Sequence, residues 1–401
     1  MTQHNDPDAP DAIDALDAQD TLVAAPPSTN LLRLRFTGSG SEYFRIWIVN
    51  LLLTIVTLTL YLPWARARKL RYFMSNTLVD DQPLGFHGKP LKMFKGYLLV
   101  CVLFALYSVA GKFSAMAGFV ALIVVALMWP ALFKSSIQFR LANTSWRGLR
   151  FSFRGSLAGA YRAMLPIFIP GLVLMGARAV GVDEVSNSQS YLLVAGIVGL
   201  SALLVAPWLF WNIKQYQHNH YALGNLQTTF KASVGSFYVL ALKIVGVVLL
   251  VTALPAVVVG ALGFGMGYGG FHDDAGAAVL IIAFAVGWLF MVVAMVCIQP
   301  YATSRLQNLV WTQTGNVQLR FVSILSFKSL LWLTLKNTFL IVITLGLYWP
   351  FAMVALTRLR LEAVTVKTRI DPALLVADAQ ASNVEAVGDA AGDFFGLDVG
   401  L

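Results

Sequence analysis

From residue 44 to residue 352 the chain alternates long apolar runs with polar, largely basic stretches. Eight runs approach the roughly 20 residues that an α-helix needs to cross hydrocarbon. They lie at about 44–63, 94–111, 116–133, 163–181, 191–211, 237–262, 277–299 and 331–352. Pro255 interrupts the sixth run, and Lys336 and Asn337 stand near the entry of the eighth. This pattern predicts an all-α polytopic membrane protein of about eight transmembrane helices, because a helix pairs its backbone amides within one segment.

The polar stretches are of two kinds. Those after runs 1, 3, 5 and 7, with the entries of the following runs, hold twenty of the twenty-nine Lys and Arg residues against two acids, Asp80 and Asp81. Those after runs 2, 4 and 6 are short or glycine-rich, and two carry acid pairs, in "GVDEVSNSQS" and "GFGMGYGGFHDDAG". The basic set is expected in the cytoplasm. Residues 1–30 and 371–401 are acidic and poor in core-forming side chains, so both read as disordered tails flanking a membrane domain at 31–370. With eight full crossings, both tails would face the periplasm.

The basic stretches resemble one another. Each begins at a proline leaving an apolar run: Pro63, Pro130, Pro207 and Pro300. Nine residues on stand Tyr72, Phe139, Tyr216 and Leu309; thirteen on stand Asn76, Asn143, His220 and Gln313, all with a side-chain nitrogen. Twenty-three on come Phe86, Phe153 and Phe230, opening "FHG", "FRG" and "FKA"; the fourth copy has Phe321, two residues early, and "FTG" at Phe36 announces the first. Constant offsets predict repeated modules joined by short extended F-x-G pieces at the membrane surface.

One sentence is written twice. "NLLLTIVTLTLYLPWARARKLRYF" starts at Asn50 and "NTFLIVITLGLYWPFAMVALTRLR" at Asn337. Six crossings between them imply copies running in opposite directions through the bilayer. Inverted copies of this kind occur in alternating-access transporters. Asn50, Thr54 and Thr57, with Asn337 and Thr344, are the candidate polar contacts of a shared pathway. The competing reading is that these groups bridge helices by hydrogen bonds.

The block "TLTLYLPWARAR" from Thr57 to Arg68, within "FTGSGSEYFRIWIVNLLLTIVTLTLYLPWARARKLRYF" and followed by "LGFHG", resembles the YjgN-like family of bacterial inner-membrane proteins, a domain of unknown function. The resemblance covers nearly all of residues 31–370. It implies residence in the bacterial inner membrane and implies no reaction. In the second copy Phe351 replaces Trp64 and Met353 replaces Arg66, so a role of that Trp or Arg need not extend there.

Composition agrees with the membrane reading. Of the 401 residues 58% are hydrophobic and 12% charged, with a mean hydropathy of +0.70, where soluble proteins carry about 25% charge. The net charge of +9 sits in short loops, which is a topology signal without a nucleic-acid partner. Cys101 and Cys297 both lie in apolar runs, too few for a disulfide framework or zinc cluster. His218 and His220 have the best metal-like spacing, yet i and i+2 face apart on a helix, so no metal or other cofactor is expected. No run carries a convincing buried carboxylate, and no nucleophile–base constellation points to an enzyme. Trp64, Arg66, Arg68, Lys69 and Arg71 are expected to anchor on anionic lipid headgroups. The resulting expectation is a transporter or channel-like pathway for a small solute, with anions favoured by the basic mouth. Its alternative is a non-transporting scaffold that binds anionic lipid or partner proteins through the basic loops.

Overall fold

The computed structural model describes residues 30–181, 188–269, 274–371 and Leu374. The two acidic tails otherwise lie outside the described residues, as do most of the acid-bearing loop after Gly181 and positions 270–273.

In chain order the elements are β1 (Asn30–Phe36), α1 (Gly40–Val56), α2 (Leu62–Ser75), β2 (Thr77–Val79), β3 (Gln82–Phe86), α3 (Pro90–Phe113), α4 (Ala115–Ala142), β4 (Thr144–Trp146) and β5 (Leu149–Phe153). Next come α5 (Leu157–Met164), a 3-10 turn, α6 (Ile169–Ala179), α7 (Ser188–His218), β6 (Tyr221–Leu223), β7 (Leu226–Gln227) and β8 (Thr229–Phe230). The chain ends with α8 (Val234–Gly269), α9 (Asp274–Thr312), β9 (Thr314–Gly315), β10 (Leu319–Ser323), α10 (Phe327–Ile343), α11 (Trp349–Glu362) and β11 (Val364–Thr368).

The all-α expectation is corrected by the strands. All eleven join one antiparallel sheet in the order β7-β6-β5-β4-β3-β2-β1-β11-β10-β9-β8. Its outermost strands, β7 and β8, are separated in sequence by Thr228 alone, so the sheet bends round into a near-barrel. One register recurs around it: Phe36 pairs with Thr77, Phe86 with Thr144, Phe153 with Tyr221, Phe230 with Thr314 and Ser323 with Val364. The fourth unit thus has Ser323 in the F-x-G position, and Phe321 points into the sheet's own apolar cluster beside Leu32, Trp146 and Val366.

The F-x-G pieces seat helices on this ring. Each opening phenylalanine packs against helices on the opposite side from that cluster: Phe86 with Ala67, Met93 and Phe139, and Phe153 with Ile137, Ala160 and Tyr216. Closeness favours glycine two residues later in three units, and Ala232 takes that place after Phe230. A Cβ on Gly155 would lie 2.5 Å from the Phe153 ring and 2.7 Å from the Tyr216 hydroxyl, below any tolerated contact. That hydroxyl donates to the Ser156 carbonyl at 3.0 Å, and Tyr72 does the same to Ser39 at 2.8 Å.

The eight-span count is corrected as well. Among the described residues five helical stretches are long and apolar enough to cross a membrane: 90–113, 115–142, 157–179, 189–218 and 234–253. No more than 28% of any of these windows is buried, which leaves most of their apolar surface for lipid. The first and last runs instead turn back. The 17 residues of α1 span only about 25 Å at 1.5 Å per residue. The chain then reverses through Leu58 (φ 47°) and Thr59 (φ 74°), and likewise after α10 through Leu345 (φ 49°) and Gly346 (φ 93°). Thr57 Oγ1 donates to the Leu53 carbonyl at 2.7 Å and accepts from the Tyr61 amide at 3.0 Å. Thr344 repeats this with Leu340 and Tyr348 at the same distances. The doubled sentence therefore encodes a helix that enters the apolar layer and returns. Both copies leave the sheet and rejoin it, so they are not inverted, and the expectation of opposite directions is overturned.

Candidate functional site

The two turning units are neighbours in the ring, since β1 pairs with β11, and each borders a partly open cavity. The first, of about 530 Å³, is lined by Tyr43, Trp47, Asn50 and Thr54 of α1, Pro63, Arg66 and Lys69 of α2, Met93 and Tyr97 of α3, and Trp349 and Met353 of α11. The second, of about 660 Å³, lies on the other side of α11 and shares Trp349 and Met353. Its wall includes Gln307 and Trp311 of α9, Thr334, Asn337, Thr338 and Ile341 of α10, and Arg360 of α11. No carboxylate lines either cavity among the described residues.

The paired asparagines are both buried, Asn50 at 8% and Asn337 at 3% exposure, but their surroundings differ. Asn50 Oδ1 accepts from Arg68 Nη1 at 3.4 Å, a long bond. The corresponding position on α11 is Ala355, whose side chain has nothing to donate, and the Asn337 amide nitrogen is buried with no partner among the described residues. Thr54 lies in the first cavity while its hydroxyl donates to the Asn50 carbonyl at 2.7 Å. Thr57 and Thr344 line neither cavity and hold the turns. Of the five residues expected to form a pathway, three therefore reach a cavity, and Asn50 and Asn337 reach different ones.

The expected lipid anchor is also divided. Trp64 packs in the protein against Tyr61 and Phe94, with ring centroids 6.1 and 5.3 Å away. Arg66 and Lys69 face the first cavity, Arg68 bonds Asn50, and Arg71 is exposed. Lost hydration lowers the pKa of both Arg66 and Lys69; Arg140 adds to this at Arg66, and Arg66 adds to it at Lys69. A cationic wall without a nearby carboxylate favours an anion.

The polar position thirteen residues after each proline has a structural task. Asn76 Nδ2 donates to the Tyr72 carbonyl at 2.9 Å, Asn143 Nδ2 to Phe139 at 2.7 Å and His220 Nδ1 to Tyr216 at 2.7 Å. These bonds satisfy orphan carbonyls at helix C-termini. The backbone carbonyls of Asn76, Asn143, His220 and Gln313 accept from Thr37, His87, Arg154 and Lys231, at 2.8–3.0 Å, tying each helix end to the preceding F-x-G piece. His218 is buried away from His220, with Nδ1 at 2.9 Å from Thr314 Oγ1. Because Thr314 Oγ1 already donates to the Val310 carbonyl, the imidazole is the donor. No cluster of three His, Cys, Asp or Glu residues occurs among the described residues.

The sequence offsets missed Tyr97, Gln307, Trp349 and Arg360. Tyr97 and Gln307 come from elements that only the ring brings to the cavities, Trp349 stands in the doubled sentence just after the turn, and Arg360 lies beyond the end of the last apolar run.

The model of a family described as "Bacterial protein of unknown function (DUF898)" matches residues 31–394. The chain belongs to this family. A relative called inner membrane protein YjgN, from Salmonella typhimurium strain LT2, is 23% identical over 366 residues, covering 86% of this chain and 91% of the relative. Proteins of the same name from Escherichia coli O157:H7 and strain K12 are 29% and 31% identical. Those two matches cover 42% and 36% of this chain, and 44% and 36% of the respective relatives. No solved structure matches the chain. These relatives, with the five membrane-competent helices, make the DUF898 chain a multi-pass inner-membrane protein.

Proposed function

We propose that this DUF898 protein provides a pathway for a small anionic solute across the inner membrane, with the Asn50 cavity as its binding station. One observation carries the reading: Arg66 and Lys69 share a cavity with Asn50, Thr54 and Tyr97, and no carboxylate among the described residues lines it. Partly desolvated cations attract anions more strongly than hydrated ones, and neutral donors beside them can order an oxyanion. The basic sheet side faces the cytoplasm by the positive-inside rule. The recurrent register is read as duplication of one helix–turn–helix–hairpin unit. The proposed activity is non-enzymatic and needs no cofactor.

A second reading draws on the ring itself. Leu32, Trp146 and Val366, with Leu34, Val79, Leu84, Phe151, Leu223, Leu319 and Phe321, form one apolar cluster within the sheet. That plug favours a scaffold that holds anionic lipid or a protein partner at its basic loops. Reconstitution separates the two. Liposomes loaded with radiolabelled phosphate, sulfate or small carboxylates should release one of them faster with the protein than without, and R66Q with K69Q should abolish the difference. Equal release across the panel, with anionic lipid retained, contradicts the pathway and leaves the scaffold.

A further inference from the structure

We infer that the Asn337 cavity is a second, separate site, built for an anionic amphiphile: a carboxylate or phosphate head on Arg360 and an apolar body, carrying an acceptor oxygen, alongside Asn337. This site goes beyond the proposed pathway and does not depend on it.

Three observations converge on the cavity. Asn337, 3% exposed, lines it, and its amide nitrogen has no partner among the described residues. A buried donor left unpaired disfavours the empty fold and is relieved by a ligand oxygen once the amide turns toward it. Arg360 is held in place from both ends. Its Nε donates to Gln307 Oε1 at 2.8 Å, and Gln307 Nε2 donates to the Arg360 carbonyl at 2.8 Å. The bracket fixes the guanidinium plane while its two Nη groups make no hydrogen bond among the described residues, so a fork of donors is oriented in advance. The rest of the wall is mainly apolar: Trp311, Ile341, Trp349 and Leu356 among others.

The order along the helices gives the ligand a direction. Helix α11 runs from Trp349, beside the turn, to Glu362, beside the sheet, so Arg360 lies at the sheet end and Trp349 at the far end. Ile341 is near the turn on α10, and Asn337 lies between. A head at the sheet side and a body reaching toward the turn is the orientation of an amphiphile in the adjoining leaflet. The Asn50 cavity offers two cations and a hydrogen-bonded asparagine instead, which suits a smaller, more highly charged ligand.

The test is titration of the purified full-length protein in neutral detergent with lysophosphatidylglycerol carrying a brominated chain. Tryptophan fluorescence is the readout, and thermal unfolding of each variant is measured alongside. Saturable quenching is expected, reduced by W311F and by W349F and weakened at least tenfold by R360Q and by N337L. The N337L protein without ligand should melt no lower than wild type, because an unpaired buried amide has been removed. Sodium decanoate and inorganic phosphate distinguish the sources. Competition by decanoate assigns the site to free carboxylate amphiphiles as well as lipids, and its failure restricts the site to the phospholipid head. Binding of phosphate alone as tightly as the lysolipid overturns the inference. So does quenching indifferent to R360Q, or an N337L protein that melts lower yet binds normally, which would make Asn337 a structural bridge.

Discussion

Asn30 and Thr368 stand opposite each other in the antiparallel pair that joins β1 to β11. Elsewhere in the ring a hairpin supplies such a pair, as in β2 and β3, where Asp80 and Asp81 both have positive φ in the two-residue turn. At β1 and β11 no turn links the strands, and the two ends of the membrane domain complete the unit between them. The chain is thus written as a ring cut open in one hairpin. For that reason its two turning units are far apart in sequence and adjacent in space.

The pairing of β1 with β11 puts both ends of the described domain on the sheet side. Every unit starts and ends at the sheet, so Asp371 lies on the same side as Ser75, and Lys112, near the α3–α4 turn, lies on the other. Single cysteines at these positions should separate cleanly in intact cells. The Lys112→Cys protein should react with an impermeant maleimide, while Ser75→Cys and Asp371→Cys should react only after lysis. Reaction of Asp371→Cys from outside would restore the eight-crossing topology.

Close packing at the F-x-G pieces should make their glycines costly to replace. Gly155→Ala drives a methyl into Phe153 and Tyr216 and is expected to cost about 1–3 kcal/mol, the usual range for overpacking. Tyr216→Phe removes one hydrogen bond and should cost about 1 kcal/mol. Thermal unfolding in detergent should therefore rank wild type above Y216F and Y216F above G155A.

Much of this packing was legible in the residues, and the direction of the chain was not. Constant offsets from Pro63, Pro130, Pro207 and Pro300 located helix ends and F-x-G pieces, because those positions answer to one register. The F-x-G pieces were legible as extended, but the sheet that joins them was not, because runs of two to seven residues are too short for a clear two-residue alternation. The turn at Thr57–Tyr61 escaped for a different reason. Its residues, T-L-T-L-Y, include no glycine or proline, so hydropathy reads straight through a reversal made by hydroxyl bonds and positive φ. Parity then assigned the second copy the wrong direction. Asn50 and Asn337 were visible as a pair, yet only the structure shows that an arginine satisfies one and not the other.

The cationic cavity should give anion binding a dependence on alkaline pH. The pKa of Lys69 is lowered, first by desolvation and then by Arg66. Lysine attracts anions only when protonated, so affinity is full below its folded-state pKa and falls as pH rises through it. Since that pKa lies below the usual 10.5, the loss should begin at lower pH than for an exposed lysine. Isothermal titration with inorganic phosphate or sulfate should show this decline in wild type, and K69R should flatten it, because arginine stays charged.

The joining of the two chain ends in one sheet is tested most directly at the β1–β11 pair. Leu31 and Lys367 face each other across β1 and β11, beside the buried pair of Leu32 and Val366. In a protein with Cys101 and Cys297 replaced by Ala, the double variant Leu31→Cys with Lys367→Cys should form an intramolecular disulfide under mild oxidation in native membranes. Cleavage in the loop after Gly181 should then leave two fragments joined until reductant is added. Fragments that separate without reductant, while each single variant folds normally, would show that β1 and β11 do not pair and that the two ends do not meet.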